Sequence, residues 1–438
     1  MSSASSAEAP RRVAVTFVNH AGAVLVKVVP GDRLAAASSI GVGFSPVSDA
    51  WRIDGLPDAD HPLAVPDGDL RLVADAAALQ PMEPSGGWFW APGDRRQRDG
   101  SAYAADQRSF CRARRDALAA VGVEVSAGFE IEWLVADPDG AEAAPALAGG
   151  PYGADRLVEG LDYASALLDA LDAAGLPWLQ FHPEYGASQF ELSLAAADPL
   201  AAADRLVLAR LLIQRVTRRF GWRACFSPLP AADRVGNGGH IHLAFRRQGV
   251  PLLQGGVGPG GLPPAGAGLV GALLEALPAL LPISCPLAVS YQRLAPSRWS
   301  APFRIWGVEN REAALRLIPA AGDGVAAHLE LKSADLAANP YLLVGSLLAL
   351  AQDGIHHPRP LPDPVRGDPA LLAELPERLP RDLAAAREAF AASLPLREAM
   401  GPLLHSTLMA TQEAEIRRAA ALDPEALIAS CRWLPLVG

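Results

Sequence analysis

An α+β fold in two unequal parts is the class this sequence predicts. Three observations carry it: a β-branched hairpin at the start, capped helical segments further on, and short strands in which polar and apolar residues alternate. The 438 residues exceed what one small core organises, so two domains, or a large one with a small companion, are expected. With 50% hydrophobic and 20% charged residues, the composition is that of a folded globular chain.

The first residues, MSSASSAEAPRR, have no apolar stretch behind their charges and so cannot act as a secretory signal; residues 1–11 are read as a disordered tail. Residues 12–30, RVAVTFVNHAGAVLVKVVP, hold two β-branched runs separated by Asn19, His20, Ala21 and Gly22, which predicts a hairpin. A small β-rich unit over 12–105 follows. Between Glu83 and Gln107 neither a period of 2 nor one of 3.6 survives among the Gly, Pro, Trp and Arg, which places the boundary near 105 and the larger unit at 106–438. Further on, Asp198 and Pro199 read as N-cap and first-turn proline of a helix closed by Gly221.

The stretch GGVGPGGLPPAGAG, 255–268, reads as a surface loop. Its formal GxGxxG match at Gly256, Gly258 and Gly261 lacks a preceding strand and contains Pro259, so it is a chance match. No GxxxxGK[ST] occurs, and any nucleotide must be held without a P-loop. The apolar segment Leu269 to Ser290 is interrupted by Glu275, Pro278 and Pro282, which predicts a buried helix followed by a loop rather than a membrane span.

A net charge of -10 argues against a protein that tracks nucleic-acid phosphates and leaves small anionic substrates open. Cys111, Cys225, Cys285 and Cys431 are far apart with no CxxC, so neither a zinc site nor a disulfide framework is indicated, and a reducing cytoplasm is expected.

The chemistry is concentrated in four strands. In Phe129-Glu130-Ile131-Glu132-Trp133, alternation puts both carboxylates on one face, where they repel unless a cation lies between them. A lone pair of this kind is more often a solvated face. The pattern recurs in Gln189-Phe190-Glu191-Leu192-Ser193-Leu194, with His182 and Glu184 just upstream, in His240-Ile241-His242-Leu243, and in His328-Leu329-Glu330-Leu331-Lys332. If these faces converge on a curved sheet, a site rich in carboxylates and without sulfur suits Mg²⁺ or Mn²⁺. Two such ions about 4 Å or more apart would bridge and neutralise phosphoryl oxygens. A basic set follows: Arg293, Arg304, Arg311 and Arg316. Taken singly, most such arginines form surface ion pairs. Beside metal-binding carboxylates, their guanidinium forks could hold a substrate carboxylate and a transferring phosphoryl group.

At this point the blocks FEIEW, EYGASQFEL, GNGGHIHL, SYQRLAP, WGVENREAALRL and ELKSADLAANPYLL resemble, in order, those of the glutamine synthetases, over roughly residues 12–438. The resemblance implies a β-grasp-like N-terminal domain and a larger catalytic domain whose curved, mostly antiparallel sheet is flanked by helices. It implies Glu132, Glu184 and Glu191 on one metal, and Glu130, His240 and Glu330 on the other. It also places His242, His328, Arg311 and Arg316 at the nucleotide phosphates, and Arg293, Gly236, Lys332 and Trp299 at the substrate, with Arg293 on the glutamate carboxylate. ATP and two or more Mg²⁺ (or Mn²⁺) are the implied cofactors, and glutamate and an amine the substrates. Active sites would lie between neighbouring subunits of a ring, often a dodecamer. The implied reaction phosphorylates the glutamate side chain, and an amine then displaces phosphate.

Two departures point away from ammonia. Family members that use ammonia hold ammonium with an N-terminal aspartate and a flap glutamate. Here Ala36 or Phe44 stands at the first position, and Pro296-Ser297-Arg298-Trp299-Ser300-Ala301-Pro302 contains no acid. An aromatic at the mouth suits an amine with an organic substituent, as in γ-glutamylpolyamine synthetase-like members. The competing readings are a true glutamine synthetase with an altered ammonia pocket, and a catalytically weak regulatory or scaffold homologue. Lys332 stands where an arginine is expected near the glutamate side chain, which leaves the acid open between glutamate and a related acid. No tyrosine follows Tyr341, which excludes adenylylation of a C-terminal tyrosine.

Overall fold

A computed structural model describes residues 9–83, 86–139, 143–322 and 325–434. Residues 1–8 of the expected tail lie outside that range. Arg11, by contrast, is tied in: its N–H donates to the Gly87 carbonyl and its own carbonyl accepts from Gly31.

The expected hairpin is β1 (Arg12–Val18) and β2 (Val24–Pro30), paired antiparallel from end to end. Its turn closes because Asn19 Oδ1 accepts the Ala23 N–H at 2.9 Å and Gly22 adopts φ +89°. After α1 (Leu34–Ser39) come β3 (Val42–Phe44), β4 (Leu70–Ala74), β5 (Gln80–Glu83) and β6 (Trp88–Arg96). The sheet order is β2-β1-β6-β4-β3, with β5 also on β6.

The strand β6 corrects the reading of 83–107 as patternless. It lies centrally, parallel to β1 and antiparallel to β4, and both of its faces are covered. Trp90 packs into the large core while Ala91 packs with Val13, Val15 and Leu72 in a separate small one, and a strand buried on both sides shows no alternation.

The second sheet is assembled from α2 (Gln107–Ala120) onward: β7 (Val123–Ala136), α3 (Ala154–Glu159), α4 (Leu161–Ala173), β8 (Trp178–Pro183), β9 (Gln189–Leu194), α5 (Pro199–Arg219), β10 (Arg223–Cys225), β11 (Ile241–Arg247) and β12 (Val250–Pro251). The remainder is α6 (Pro264–Ser284), α7 (Ala288–Arg293), β13 (Trp306–Val308), β14 (Leu315–Ile318), β15 (His328–Leu331), α8 (Pro340–His356), α9 (Leu383–Ala392), α10 (Leu394–Ala420) and α11 (Pro424–Cys431). Strand order is β13-β14-β15-β11-β7-β9-β8, with β10 on β7 and β12 on β11; every pairing except β13 with β14 is antiparallel.

Capping at α5 follows the sequence: Asp198 accepts from Leu200 N and Ala201 N, Pro199 occupies the first turn, and Gly221 beyond its end has φ +78°. The helix α6 corrects two boundaries. It starts at Pro264, inside the stretch read as loop, because proline is tolerated in a first turn; and after Ser284 the chain forms α7 rather than loop only. Although α6 is long and apolar enough to cross a membrane, 78% of its apolar window is buried, packed on α8 and α9. It is a core helix.

Two buried arginines tie the first sheet to α2 and α5. Arg95 on β6 donates to Asp49 at 2.6 Å and Asp106 at 3.0 Å. Arg108 on α2 reaches Asp94 at 2.9 Å, Asp204 at 2.7 Å and Asp75 at 2.8 Å.

Candidate functional site

The side chains singled out in the four strands come together because cross-strand register places them in rows on one sheet face. Arg316 on β14 lies opposite Glu330 on β15, and Glu330 opposite His242 on β11. Two pleats along, Glu132 on β7 lies opposite Glu191 on β9, and Glu191 opposite His182 on β8. Glu130 stands between the rows, its N–H donating to the His240 carbonyl at 3.0 Å. Alternation keeps Phe129, Ile131, Trp133, Phe190 and Leu192 on the other face, all buried in the large core. That core holds the carboxylates in position.

Two groups of ligand atoms result. Glu130, His242 and Glu330 offer atoms within 4.8 Å of one another, and so do His182, Glu184 and Glu191. His240 Nδ1 lies 3.2 Å from Glu130 Oε2 and 3.3 Å from Glu330 Oε1, so it belongs with the first group. His242 Nε2 lies 3.2 Å from Glu130 Oε1, outside the angle of a good hydrogen bond. Glu132 lies opposite Glu191 in register, and its carboxylate has further partners. One of its oxygens accepts the Gly238 N–H at 2.7 Å and Gln189 Nε2 at 3.3 Å, the other lies 4.0 Å from His240 Nε2, and His182 is a further imidazole beside Glu184 and Glu191.

The electrostatics match a site that needs cations. Burial raises Glu132, and the neighbouring charges of Glu191 and Glu184 raise it further against the pull of His240 and Gly238. Burial also raises Glu184, with Glu191 adding repulsion. Against its own burial, Glu330 is held down at about 2 by Lys332, His240 and His242. Glu130 is held well below the usual range, against burial, by the hydrogen bond from His240 and the charge of His242. The hydrogen bond to Glu191 lifts His182 to about 9. Imidazolium and carboxylate thus neutralise one another where a divalent ion would.

The residues fit hard cations on the donor set alone, five carboxylates with imidazoles and no thiol within the groups. A cradle at Gly238 fits as well: a Cβ there would meet His240 Nε2 at 2.6 Å and Glu132 Oε1 at 2.8 Å. Gly238→Ala is therefore expected to keep the fold, since both atoms end flexible side chains, while lowering affinity for Mn²⁺ about 10- to 100-fold. Titration calorimetry with Mn²⁺ alone checks this, and wild-type affinity in the variant would contradict it.

The other expected positions are distributed as follows. Arg293, at the end of α7, is buried; its Nη2 donates to the Ala334 carbonyl at 2.8 Å, while its Nε has no partner among the described residues, so guanidinium capacity remains for an anion. Gly236 lies against it, because a Cβ there would meet Arg293 Cδ at 2.6 Å and the Pro228 carbonyl at 2.3 Å. Arg316 Nη1 and Lys332 Nζ reach Glu330 at 3.1 Å and 3.3 Å. The His328 ring lies 5.2 Å from that of His242. Arg311 is exposed on the connection between β13 and β14. Arg304 forms an ion pair with the exposed Glu377. Trp299 is 55% exposed, in a segment where Ser297, Trp299 and Ala301 all have positive φ.

Three residues of the site were missed from the sequence. His182 is two residues before Glu184 and opposite Glu191, a signal that strand register would have supplied. Gln189, quoted only as part of a motif, bridges Glu132, the Gly236 carbonyl and Asn237. Buried Arg156 gives one Nη to the carbonyls of Glu184, Gly186 and Gln189, and the other to that of Gly149, which pins the turn that presents Glu184. No local signal marked it.

Comparisons with known proteins identify the family and the fold. Residues 104–425 match the family model described as glutamine synthetase, catalytic domain. A γ-glutamylpolyamine synthetase of Streptomyces coelicolor is 42% identical over 434 residues, covering 96% of this chain and 93% of the relative. A glutamine synthetase of Pyrococcus abyssi is 27% identical over 350 residues, 80% of this chain and 76% of the relative. Among solved structures, a novel glutamine synthase homolog superposes with a TM-score of 0.86 at 29% identity, covering 96% of this chain and 97% of the other. A GmaS/ADP complex gives 0.83 at 25% identity, covering 95% of each chain.

Proposed function

The chain belongs to the glutamine synthetase family and is an ATP-dependent carbon–nitrogen ligase, and on that premise we propose that it joins the side-chain carboxylate of glutamate to an organic amine, a polyamine before ammonia. The observation that carries the choice of amine is the segment 296–302, which presents Trp299 and no acid where ammonia-using members place a glutamate. An exposed indole offers an alkylammonium both apolar area and a π-face, and offers a bare ammonium ion much less. The relative from Streptomyces coelicolor carries that specificity in its name.

In this reading Glu130, His240 and Glu330 hold one divalent ion and Glu132, Glu184 and Glu191 the other. His242 and His182 are the imidazoles that each group adds. Bound there, Mg²⁺ or Mn²⁺ would neutralise charge on the transferring phosphoryl group. Arg293 holds the glutamate carboxylate against Gly236. Arg316 and Lys332 keep positive charge beside Glu330, with His242 and His328 facing the nucleotide and Arg311 free to turn inward onto it. ATP phosphorylates the γ-carboxylate, and the amine displaces phosphate from the resulting anhydride, a far better acyl donor than a carboxylate. The division near residue 105, a cytoplasmic location and a ring of subunits, a dodecamer by family analogy, belong to the same reading.

Phosphate release with glutamate, ATP, Mg²⁺ and a panel of amines tests it. Diamines and triamines are expected to exceed ammonia about tenfold or more in kcat/KM. A preference for ammonia would make this a glutamine synthetase proper, and no turnover with any pair would favour the scaffold reading.

A further inference from the structure

The segment 296–302 contains no acid of its own, yet one lies beneath it. Glu312, on the connection from β13 to β14, is 5% exposed, and its Oε1 accepts the Trp299 N–H at 2.7 Å. Its Oε2 is buried and has no hydrogen-bond partner among the described residues. A tether for the segment needs one carboxylate oxygen; the second is buried without a donor among the described residues, so its desolvation cost is met only by the charge of Lys332, and burial raises the Glu312 carboxyl above its ordinary range.

The location ties this oxygen to the reacting end of the site. Two residues on, the Ala314 carbonyl accepts the Lys332 N–H at 2.9 Å, and the charge of Lys332 is felt at Glu312. Lys332 is nevertheless committed to Glu330, its Nζ 3.3 Å from Oε1. A second acid, Asp368, adds negative potential at Glu312 and accepts the Ser297 hydroxyl at 2.9 Å. Segment 296–302 is therefore fastened to two carboxylates from other parts of the chain, at Trp299 and at Ser297, so negative charge lost from the segment itself is present below it.

We propose that Glu312 binds the substrate amine as its ammonium ion, its buried Oε2 accepting an N–H while Trp299 covers the alkyl chain. The role deepens the ligase reading and rests on it. A charge-assisted hydrogen bond in a water-poor site supplies the attraction that the missing flap glutamate would have given. Asp368 adds a second attraction suited to a cation with more than one ammonium group.

The test compares two nucleophiles on the full-length protein and on Glu312→Gln, which retains an oxygen for the Trp299 N–H but loses the charge. Hydroxylamine is largely uncharged near neutral pH, whereas an alkylamine arrives as a cation. We expect kcat/KM for the best amine to fall about tenfold or more beyond any fall for hydroxylamine, with the loss concentrated in the amine KM. Glu312→Asp is expected to lie between Gln and wild type. Equal losses for both nucleophiles would reduce Glu312 to a tether and overturn the proposal, as would an unchanged amine KM. If wild type prefers ammonia, the polyamine reading fails, and the same comparison with ammonia as the cation still decides the role of Glu312. Should Glu312→Gln not fold, as judged by its melting curve, Glu312→Asp decides: an amine KM equal to wild type overturns the role and a selective rise supports it.

Discussion

Glu330→Ala is expected to reduce ATP-dependent turnover to below about 1% of wild type while the protein still folds. Glu330 is 1% exposed and gathers Arg316, Lys332 and His240 within 3.3 Å. Without it, two fixed cations and an imidazole face Glu130 alone, and the electrostatic balance that admits a divalent ion is lost. The fold survives because its core partners sit on the opposite face, where Leu329 and Leu331 are buried. Glu330→Gln separates charge from shape, and the same loss is expected. Phosphate release and Mn²⁺ binding measured together decide the matter; turnover near wild type in either variant would remove Glu330 from the ligand set.

The largest effect on stability is expected at Arg95, on β6 of the first sheet. Arg95→Met leaves Asp49 and Asp106 buried without their shared guanidinium, and breaking a buried pair from one side costs about 3–5 kcal/mol. Asp49 is fully buried and also lies 3.3 Å from His20, whose pKa burial lowers to about 4. That histidine is therefore neutral near pH 7 and offers no substitute charge. The melting temperature should fall clearly, and Arg95→Met combined with Asp49→Asn and Asp106→Asn should be less destabilised than Arg95→Met alone, because no bare carboxylate remains. An unchanged melting temperature in the single variant would show that the network adds nothing to the joint between the first sheet and α2.

Legibility from the sequence followed the range of the physics. The hairpin at 12–30 and the caps of α5 are set by residues within a few positions of each other, and both form as read. The strand at Trp88–Arg96 was invisible because it is covered on both faces by segments distant in the chain, which erases period 2. The same distinction runs through the site. Alternation alone puts Glu130 and Glu132 on one face, so a carboxylate-rich centre could be inferred without coordinates.

What the sequence by itself determined was therefore the chemistry: which side chains share a strand face, that they are acids and imidazoles without sulfur, and that the segment 296–302 is without a carboxylate. Only the tertiary structure decided the partners. Register set His182 opposite Glu191, the Gly238 N–H came to donate to Glu132, and Glu312 came to lie under Trp299 from a separate segment. The physical reason is that periodicity is a property of one strand, whereas an ion pair or an orphaned oxygen depends on how separate strands and loops are held against one another by the core behind them.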